Sequence, residues 1–217
     1  MTGLSEVEQR ITEACARVGR PREGVQLVAV SKGHPADAVQ AVYQQGQRVF
    51  GESRAQELAG KYDLMGPDVV WHFIGPLQRN KVRQVRPAVS LLHSLDRIEL
   101  AHAWMKGPGQ APPVLLQVKL GAEASKHGFE PGQTEEALMV CESLGVPVRG
   151  LMTIPPPATV PEEGRHWFGT LRELRDQLDR PDVVDLSMGM SEDFEVAIEE
   201  GATIIRVGSA IFGPRTT

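Results

Sequence analysis

The amino-acid sequence predicts an α/β fold, a single (β/α)8 barrel of the TIM type over residues 1–217 with an extra N-terminal helix. Eight short apolar runs alternate with stretches of helical spacing, which is typical of parallel strands joined by helices. No shift in composition divides the chain, and its 217 residues lie near the lower limit of about 200 for this fold. The competing fold, an open doubly wound sheet, is less favoured because no Gly-x-Gly-x-x-Gly motif follows a predicted strand.

Each strand is predicted from a short apolar run that is followed by a glycine, a proline or a polar residue. The first run, Leu-Val-Ala-Val at residues 27–30, is typical of a strand that is buried on both faces inside a parallel sheet. The other strands are predicted at residues 48–51, 69–74, 90–94, 113–119, 148–152, 183–187 and 203–207.

The helices are predicted from apolar residues at helical spacing and from the residues that bound them. A helix over residues 4–18 precedes the first strand, and a helix over 35–45 begins at Pro35 and ends before Gly46. We expect Asp96 to be the N-cap of a helix over 96–106. Further helices are predicted over residues 53–65, 78–85, 134–144, 166–178 and 192–200, and a short one from about residue 209.

Composition and charge argue against several classes of protein. The net charge is −5, and the 23 lysine and arginine residues are dispersed, which disfavours a nucleic-acid or anionic membrane surface. No apolar run approaches a membrane span, and the N-terminus lacks the features of a secretory signal. Cys15 and Cys141 are expected to be buried free thiols, and no Cys/His cluster has the spacing of metal ligands. We therefore expect a cytoplasmic protein that binds no metal.

A lysine follows the first strand directly, as Ser31-Lys32-Gly33. At the carboxyl end of a buried strand we expect its ammonium to be paired or to have a lowered pKa, which would make Lys32 a candidate Schiff-base nucleophile. An ordinary loop lysine is the alternative for this stretch taken alone.

Other polar residues follow the later strands, where the sites of (β/α)8 barrels form. Ser187-Met-Gly-Met-Ser191 follows the seventh strand, and Gly208-Ser209 follows the eighth and opens a helix. Loops at these two positions frequently bind phosphate in barrels, and small residues let backbone amides approach an anion. Arg206 is expected to point into the barrel mouth. A phosphate site beside a reactive lysine points to a phosphorylated aldehyde: pyridoxal 5′-phosphate (PLP), or a sugar phosphate if the protein is an aldolase.

The chain resembles the pyridoxal phosphate homeostasis proteins, PLP-binding barrels related to the N-terminal domain of alanine racemase. The matching segments follow the family order over nearly the whole chain, and those at 71–81 and 186–191 are highly specific. They are Ala29-Val-Ser-Lys32, Phe50-Gly-Glu52, Trp71-His-Phe-Ile-Gly75 with Leu77-Gln78 and Asn80-Lys81, His93-Ser-Leu-Asp96, Ser125-Lys126 with Gly128, Gly150-Leu-Met-Thr-Ile-Pro155, Leu186-Ser-Met-Gly-Met-Ser191 and Arg206-Val-Gly-Ser-Ala-Ile-Phe-Gly213.

The resemblance implies that Lys32 holds PLP as a covalent aldimine. It also implies that Ser187, Gly208 and Ser209 hold the phosphate and that Arg206 lies near the pyridine nitrogen. Ser53 stands where the family usually has Asn, and its shorter side chain weakens the expected contact with the ring. The candidate cofactor-binding residues at predicted strand ends also include His72, Met152 and Met188. The alternative is a buried core position, which is the more common role of a methionine.

Two functions remain open from the sequence. A racemase needs a base on each face of PLP, and the related racemases take the second from a tyrosine on an added domain. This chain has only Tyr43 and Tyr62, both in predicted outer helices, with Cys141 and His72 as possible substitutes. The resemblance instead implies a carrier without robust catalysis, which buffers PLP (vitamin B6) in the cytoplasm and supplies it to PLP-dependent apo-enzymes. We expect a monomer, and we consider Lys126 as a second docking point for PLP, with a solvated loop lysine as the alternative.

Overall fold

Eight parallel strands pair in chain order and close into a barrel, which confirms the predicted fold class. The structure is a computed structural model that describes residues 3–121, 127–157 and 159–214. The strands are β1 (Gln26–Val30), β2 (Val49–Glu52), β3 (Val70–Phe73), β4 (Leu91–Leu95), β5 (Val114–Gln117), β6 (Val148–Met152), β7 (Asp185–Ser187) and β8 (Ile204–Val207).

Helices connect the strands and surround the barrel. The first helix precedes β1, as predicted, and the last follows β8. The helices are α1 (Leu4–Arg17), α2 (Ala36–Gln44), α3 (Ala55–Tyr62), α4 (Val82–Val85), α5 (Ile98–Met105), α6 (Thr134–Ser143), α7 (Arg165–Leu178), α8 (Phe194–Glu199) and α9 (Ser209–Phe212). Within the described residues, no helix has the length and apolar character needed to span a membrane.

The barrel closes by pairing β1 with β8, so the first and last strands of the chain are neighbours. The register places Gln26 opposite Ile204 and Ala29 opposite Val207. Residues that follow β1 and residues that follow β8 therefore meet at the same edge of the barrel. This pairing positions the candidate site.

Alternate residues of each strand face either the barrel interior or the helices. The helix-facing layer is the larger core and contains most of the fully buried aromatic side chains, among them Phe50, Trp71 and Trp104. The interior holds a smaller apolar cluster of Val28, Leu91, Leu115, Met152 and Ile204. Burial of each such side chain contributes about 1.5–3 kcal/mol to stability, so both layers hold the strand ends in place.

Two helical predictions were wrong in detail. Asp96 is not the N-cap of α5: the cap position belongs to Arg97, and the Asp96 carboxylate instead forms an ion pair with the Arg97 guanidinium. The helix predicted over 78–85 is divided into a 3-10 turn at Arg79–Lys81 and the single turn of α4. Another 3-10 turn follows at Arg86–Ala88, because the ring of Pro87 prevents the α-helix from continuing.

Candidate functional site

A cavity of about 1030 Å³ opens at the carboxyl ends of the strands. This volume lies just above the range of about 300–1,000 Å³ that is typical of small-molecule sites. The strand and loop residues around it come from both sides of the β1–β8 junction and from the loops after β2, β3, β6 and β7. Residues far apart in sequence thus share one space.

Lys32 lies on the wall of this cavity, two residues beyond the end of β1. Its side chain is half-buried, so it is more accessible than a lysine enclosed at the end of a buried strand. The next residue, Gly33, has a φ of 74°, in the left-handed region that favours glycine, and turns the chain toward α2. Lys32 thus lies at the cavity wall between the fully buried Ser31 and the turn at Gly33.

The loop that follows β8 presents small polar groups at the same edge. The Ser191 Oγ accepts hydrogen bonds from the backbone amides of Gly208 (3.2 Å) and Ala210 (3.4 Å), and Ser209 lies between them. A Cβ atom at position 208 would lie 3.3 Å from the Val30 carbonyl oxygen, a tight approach that glycine avoids. These amides and hydroxyls form a donor set suited to an anion.

Arg206 supplies a buried positive charge to the cavity wall. Its Nη1 donates to the Ser187 Oγ (2.6 Å), and its Nη2 donates to the Thr153 carbonyl (2.8 Å). Burial lowers the pKa of Arg206 to about 10, with a small opposing effect from the Asp193 carboxylate. The guanidinium therefore remains cationic at neutral pH and is fixed in orientation by two hydrogen bonds.

A chain of hydrogen bonds continues from Arg206 across the barrel interior. The Ser187 Oγ lies 2.8 Å from the His93 Nδ1, and the His93 Nε2 lies 2.9 Å from the His72 Nδ1. Because Arg206 donates to Ser187, the serine hydroxyl proton is available to the His93 Nδ1, and His93 then donates from Nε2 to His72. Both hydrogen bonds, from Ser187 to His93 and from His93 to His72, can form while the two imidazoles are neutral.

The electrostatic environment agrees with neutral histidines. Burial, with a smaller effect of the positive charge on Arg149, lowers the pKa of His72 to about 3. The pKa of His93 is also far below its ordinary value, first because of burial and then because of its neighbours His72 and Arg206. A second positive charge beside Arg206 would be strongly unfavourable.

Because His72 and His93 have lowered pKa values, we expect the protein to lose stability as the pH falls below about 6.5. The unfolded chain binds protons at histidine near that pH, whereas folded His72 remains neutral down to about 3. Between these two pH values the unfolded state binds more protons than the folded state. Each of the two histidines therefore lowers the free energy of unfolding by about 1 kcal/mol for every pH unit that the pH falls. Urea unfolding at pH 7 and pH 5 measures this slope. We expect a shallower slope for His72→Gln and the wild-type slope for His102→Gln, a change of an exposed histidine on α5; equal slopes for all three proteins would contradict the prediction.

Comparison with known proteins adds to this geometry. No protein-family model matches the chain. Curated relatives named pyridoxal phosphate homeostasis protein are 46% identical in Aquifex aeolicus, covering 98% of this chain and 96% of that protein, and 41% identical in Vibrio cholerae, covering 98% and 94%. The chain belongs to the pyridoxal phosphate homeostasis protein family. This confirms the resemblance inferred from the motifs.

Solved structures of similar proteins show the same barrel. PipY of Synechococcus elongatus is 37% identical; its structure without PLP has a TM-score of 0.84 and covers 95% of this chain and 99% of that one. The PipY structure with PLP bound has a TM-score of 0.79 and covers 94% and 100%. A lysine/ornithine decarboxylase of Vibrio vulnificus, 14% identical with a TM-score of 0.67 over 94% of this chain and 61% of that one, shares the fold alone.

Five of the nine residues predicted for cofactor binding line the cavity: Lys32, Ser53, Arg206, Gly208 and Ser209. The other four lie elsewhere. Met152 belongs to the apolar cluster in the barrel interior, and Met188 packs in the layer between barrel and helices. His72 and Ser187 belong to the hydrogen-bonded chain under Arg206.

Ser187, which the family resemblance implies as a phosphate contact, does not line the cavity in this structure. Its hydroxyl is fully buried and is engaged by Arg206 and by His93. Met188, the residue directly after β7, packs in the layer between barrel and helices. In this structure the serine that meets the β8 loop is Ser191, four residues later.

The prediction missed other parts of the wall. Pro155-Pro-Pro157, for which the sequence predicts no site role, lines the cavity, and Pro155 is buried. His34 also lines it and stacks on Phe212 with ring centroids 5.0 Å apart. Ser191 ends the Leu186–Ser191 segment that carries the family resemblance, but its contact with the loop after β8 is not visible in that segment. Lys126, the suggested second docking point, lies outside the described residues.

The side chains considered as a second base do not line the cavity. Tyr43 lies on α2 and Tyr62 on α3, as predicted. Cys141 is buried on α6, and burial raises the pKa of its thiol to about 11. Among the residues that the structure describes, no cluster of His, Cys, Asp or Glu has the arrangement of a metal site.

Proposed function

We propose that this chain binds PLP in the cavity, holds it as a Schiff base on the Lys32 Nζ, and serves intracellular PLP homeostasis by buffering or supplying the cofactor. The observation that carries the proposal is the β1–β8 junction, which brings Lys32 beside Gly208 and Ser209 in one cavity with a buried arginine. The names of the relatives and the PLP-bound PipY structure support it.

The phosphate would bind at the loop after β8. In the structure the amides of Gly208 and Ala210 already donate to an oxygen atom, the Ser191 Oγ, and a phosphate oxygen can accept from the same amides. The hydroxyls of Ser191 and Ser209 add donors. The close approach of Gly208 to Val30 places this set next to the end of β1.

Arg206 would face the ring of PLP. A fixed cation keeps a nearby pyridine nitrogen unprotonated, since protonation would place two positive charges together. Most PLP catalysis depends on a protonated ring as an electron sink, so this arginine disfavours catalytic turnover. It favours a protein that holds the cofactor.

Lys32 would supply the amine at the aldehyde end. PLP itself contributes an aldehyde that condenses reversibly with primary amines. The half-buried position of Lys32 at the cavity wall allows the cofactor to enter and to leave. A reversible attachment of this kind suits a buffer or a donor.

A racemase is the less favoured function. Its second base would have to approach PLP from the face opposite Lys32, and neither tyrosine of the chain lines the cavity. The relatives are named for homeostasis and not for racemisation. We infer that the recipients of the cofactor are PLP-dependent apo-enzymes and that the chain acts as a cytoplasmic monomer. Transfer from the loaded protein to an apo-enzyme, compared with an equal amount of free PLP, tests the supply role.

The binding proposal is tested by titrating the purified protein with PLP and recording the visible spectrum. We expect a yellow Schiff-base band that saturates at about one PLP per chain, with no such band in Lys32→Ala. Lys119→Ala is the matched control, because Lys119 pairs with Glu130 (3.1 Å) and does not line the cavity. A wild-type protein that stays colourless would contradict the proposal.

A further inference from the structure

Charged side chains from the end of β2 and from α3 contact the residues on both sides of Lys32. The Lys61 Nζ donates to the Ser31 carbonyl (2.8 Å) and forms an ion pair with Glu52, and the Ser31 Oγ donates to the Glu52 Oε1 (2.7 Å). Ser31 and Glu52 are fully buried, and Lys61 is 5% exposed. We name Ser31, Glu52, Glu57 and Lys61 the Lys61 cluster.

Glu57 completes the cluster on the other side of Lys32. Its Oε2 accepts a hydrogen bond from the Gly33 amide (2.7 Å) and lies 3.7 Å from the Lys61 Nζ. Partial burial would raise the pKa of Glu57, but the Gly33 hydrogen bond and the charges of Lys61 and Arg54 together lower it. Glu57 therefore stays ionised and holds residue 33 while Lys61 holds residue 31.

The cost of this arrangement indicates that its purpose is not stability alone. Removing an ammonium from water costs several kcal/mol, and a well-packed apolar pair is often at least as stable as a buried ion pair. None of the four members lines the cavity, so they do not touch a bound ligand. Their contacts fall on residues 31 and 33, the two neighbours of the candidate nucleophile.

We propose that the Lys61 cluster is a positioning device that sets the direction and reach of Lys32 toward the aldehyde of PLP. This inference rests on the proposed function. In the reaction the lone pair of the neutral Lys32 amine forms a C–N bond to the aldehyde carbon. The amine loses two protons to the carbonyl oxygen, which leaves as water, and a C=N bond remains. Reactions of this kind depend on atoms held about 3–3.5 Å apart, and a shift of about 1 Å can cost a factor of 100.

Lys61→Met tests the inference, since methionine keeps most of the side-chain volume and removes the ammonium. We expect the rate of Schiff-base formation to fall about tenfold or more, also at high pH where the Lys32 amine is neutral. No Schiff base can form on residue 32 in a Lys32→Ala protein. We expect addition of Lys61→Met to that protein to change its PLP affinity by less than about threefold. In the protein without PLP, the Gly33 amide should exchange with deuterium faster than in wild type.

Lys119→Met is the matched control, since it removes a lysine from an ion pair that touches neither the cavity nor residues 31–33. If Lys61→Met fails to fold, the double variant Glu52→Leu/Lys61→Met is used in its place. It removes both charges of the ion pair, so neither charge is left buried without its partner. A wild-type rate in either folded variant would overturn the inference. A wild-type protein that forms no Schiff base would instead overturn the proposed function, and the positioning role with it.

Discussion

An Arg206→Met protein is expected to bind PLP about 10- to 100-fold more weakly than wild type. The guanidinium carries five N–H donors, of which Ser187 and Thr153 hold two, and it presents a buried charge to the cavity. Hydrogen bonds to charged groups contribute about 1.5–3 kcal/mol, and each 1.4 kcal/mol is about a factor of ten in affinity. The change also leaves the Ser187 hydroxyl and the Thr153 carbonyl without their donor, so we expect about 1–3 kcal/mol lower stability.

Equilibrium titration with PLP measures this effect, and urea unfolding of the same samples measures the loss of stability. Arg172→Met is the matched control, because Arg172 bonds the Glu200 carboxylate (2.6 Å) and does not line the cavity. An Arg206→Met protein with unchanged affinity would show that the buried cation does not contact PLP. It would also remove the structural reason for disfavouring catalytic turnover.

Gly150→Ala is expected to destabilise the barrel by more than about 3 kcal/mol, and we expect only part of the protein to be recovered as folded material. Gly150 pairs with Asp185 across β6 and β7, and a Cβ at position 150 would lie 2.0 Å from the Asp185 carbonyl oxygen. The obstructing atoms belong to the backbone of a neighbouring strand, so relief requires β6 and β7 to separate. That movement would also disturb Ser187 and Met152 at the ends of these strands.

Gly60→Ala is the same glycine-to-alanine change, but we expect it to affect stability in the opposite direction. Gly60 is exposed in α3, and a Cβ there would meet no atom within 4 Å. Alanine is favoured over glycine in a helix interior by about 1 kcal/mol, so this variant should be slightly more stable than wild type. Urea unfolding of the two variants beside wild type measures both effects. Equal stabilities for Gly150→Ala and wild type would show that the close approach of β6 and β7 is relaxed in solution.

The sequence could predict the barrel because its strands are short apolar runs with clear stops. β6 was predicted with its observed limits, Val148–Met152. The proximity of Lys32 to Gly208 could also be predicted from the sequence, since closure of a barrel makes the first and last strands neighbours. Elements without strong signals, such as the turns around α4, could not be placed as well.

The candidate site was less predictable, for reasons of geometry. Ser187 and Met188 are consecutive, so strand alternation alone argues against both facing the same cavity. The engagement of Ser187 by Arg206 depends on contacts between β7 and β8 that no local pattern shows. Lys61 lies three residues after Leu58, at the spacing of a buried helix position. A lysine is nevertheless expected to be solvent-exposed unless a buried partner such as Glu52 is known.

The most direct test of the PLP-binding proposal is to reduce the PLP-loaded protein with borohydride, digest it, and identify the modified peptide by mass. Reduction converts the C=N bond to a stable C–N bond, so the site of attachment survives digestion. We expect a single pyridoxyl adduct on Lys32, absent from Lys32→Ala and unchanged in Lys119→Ala. An adduct on another lysine, or none on a protein that binds PLP, would contradict the assignment of Lys32 as the residue that holds the cofactor.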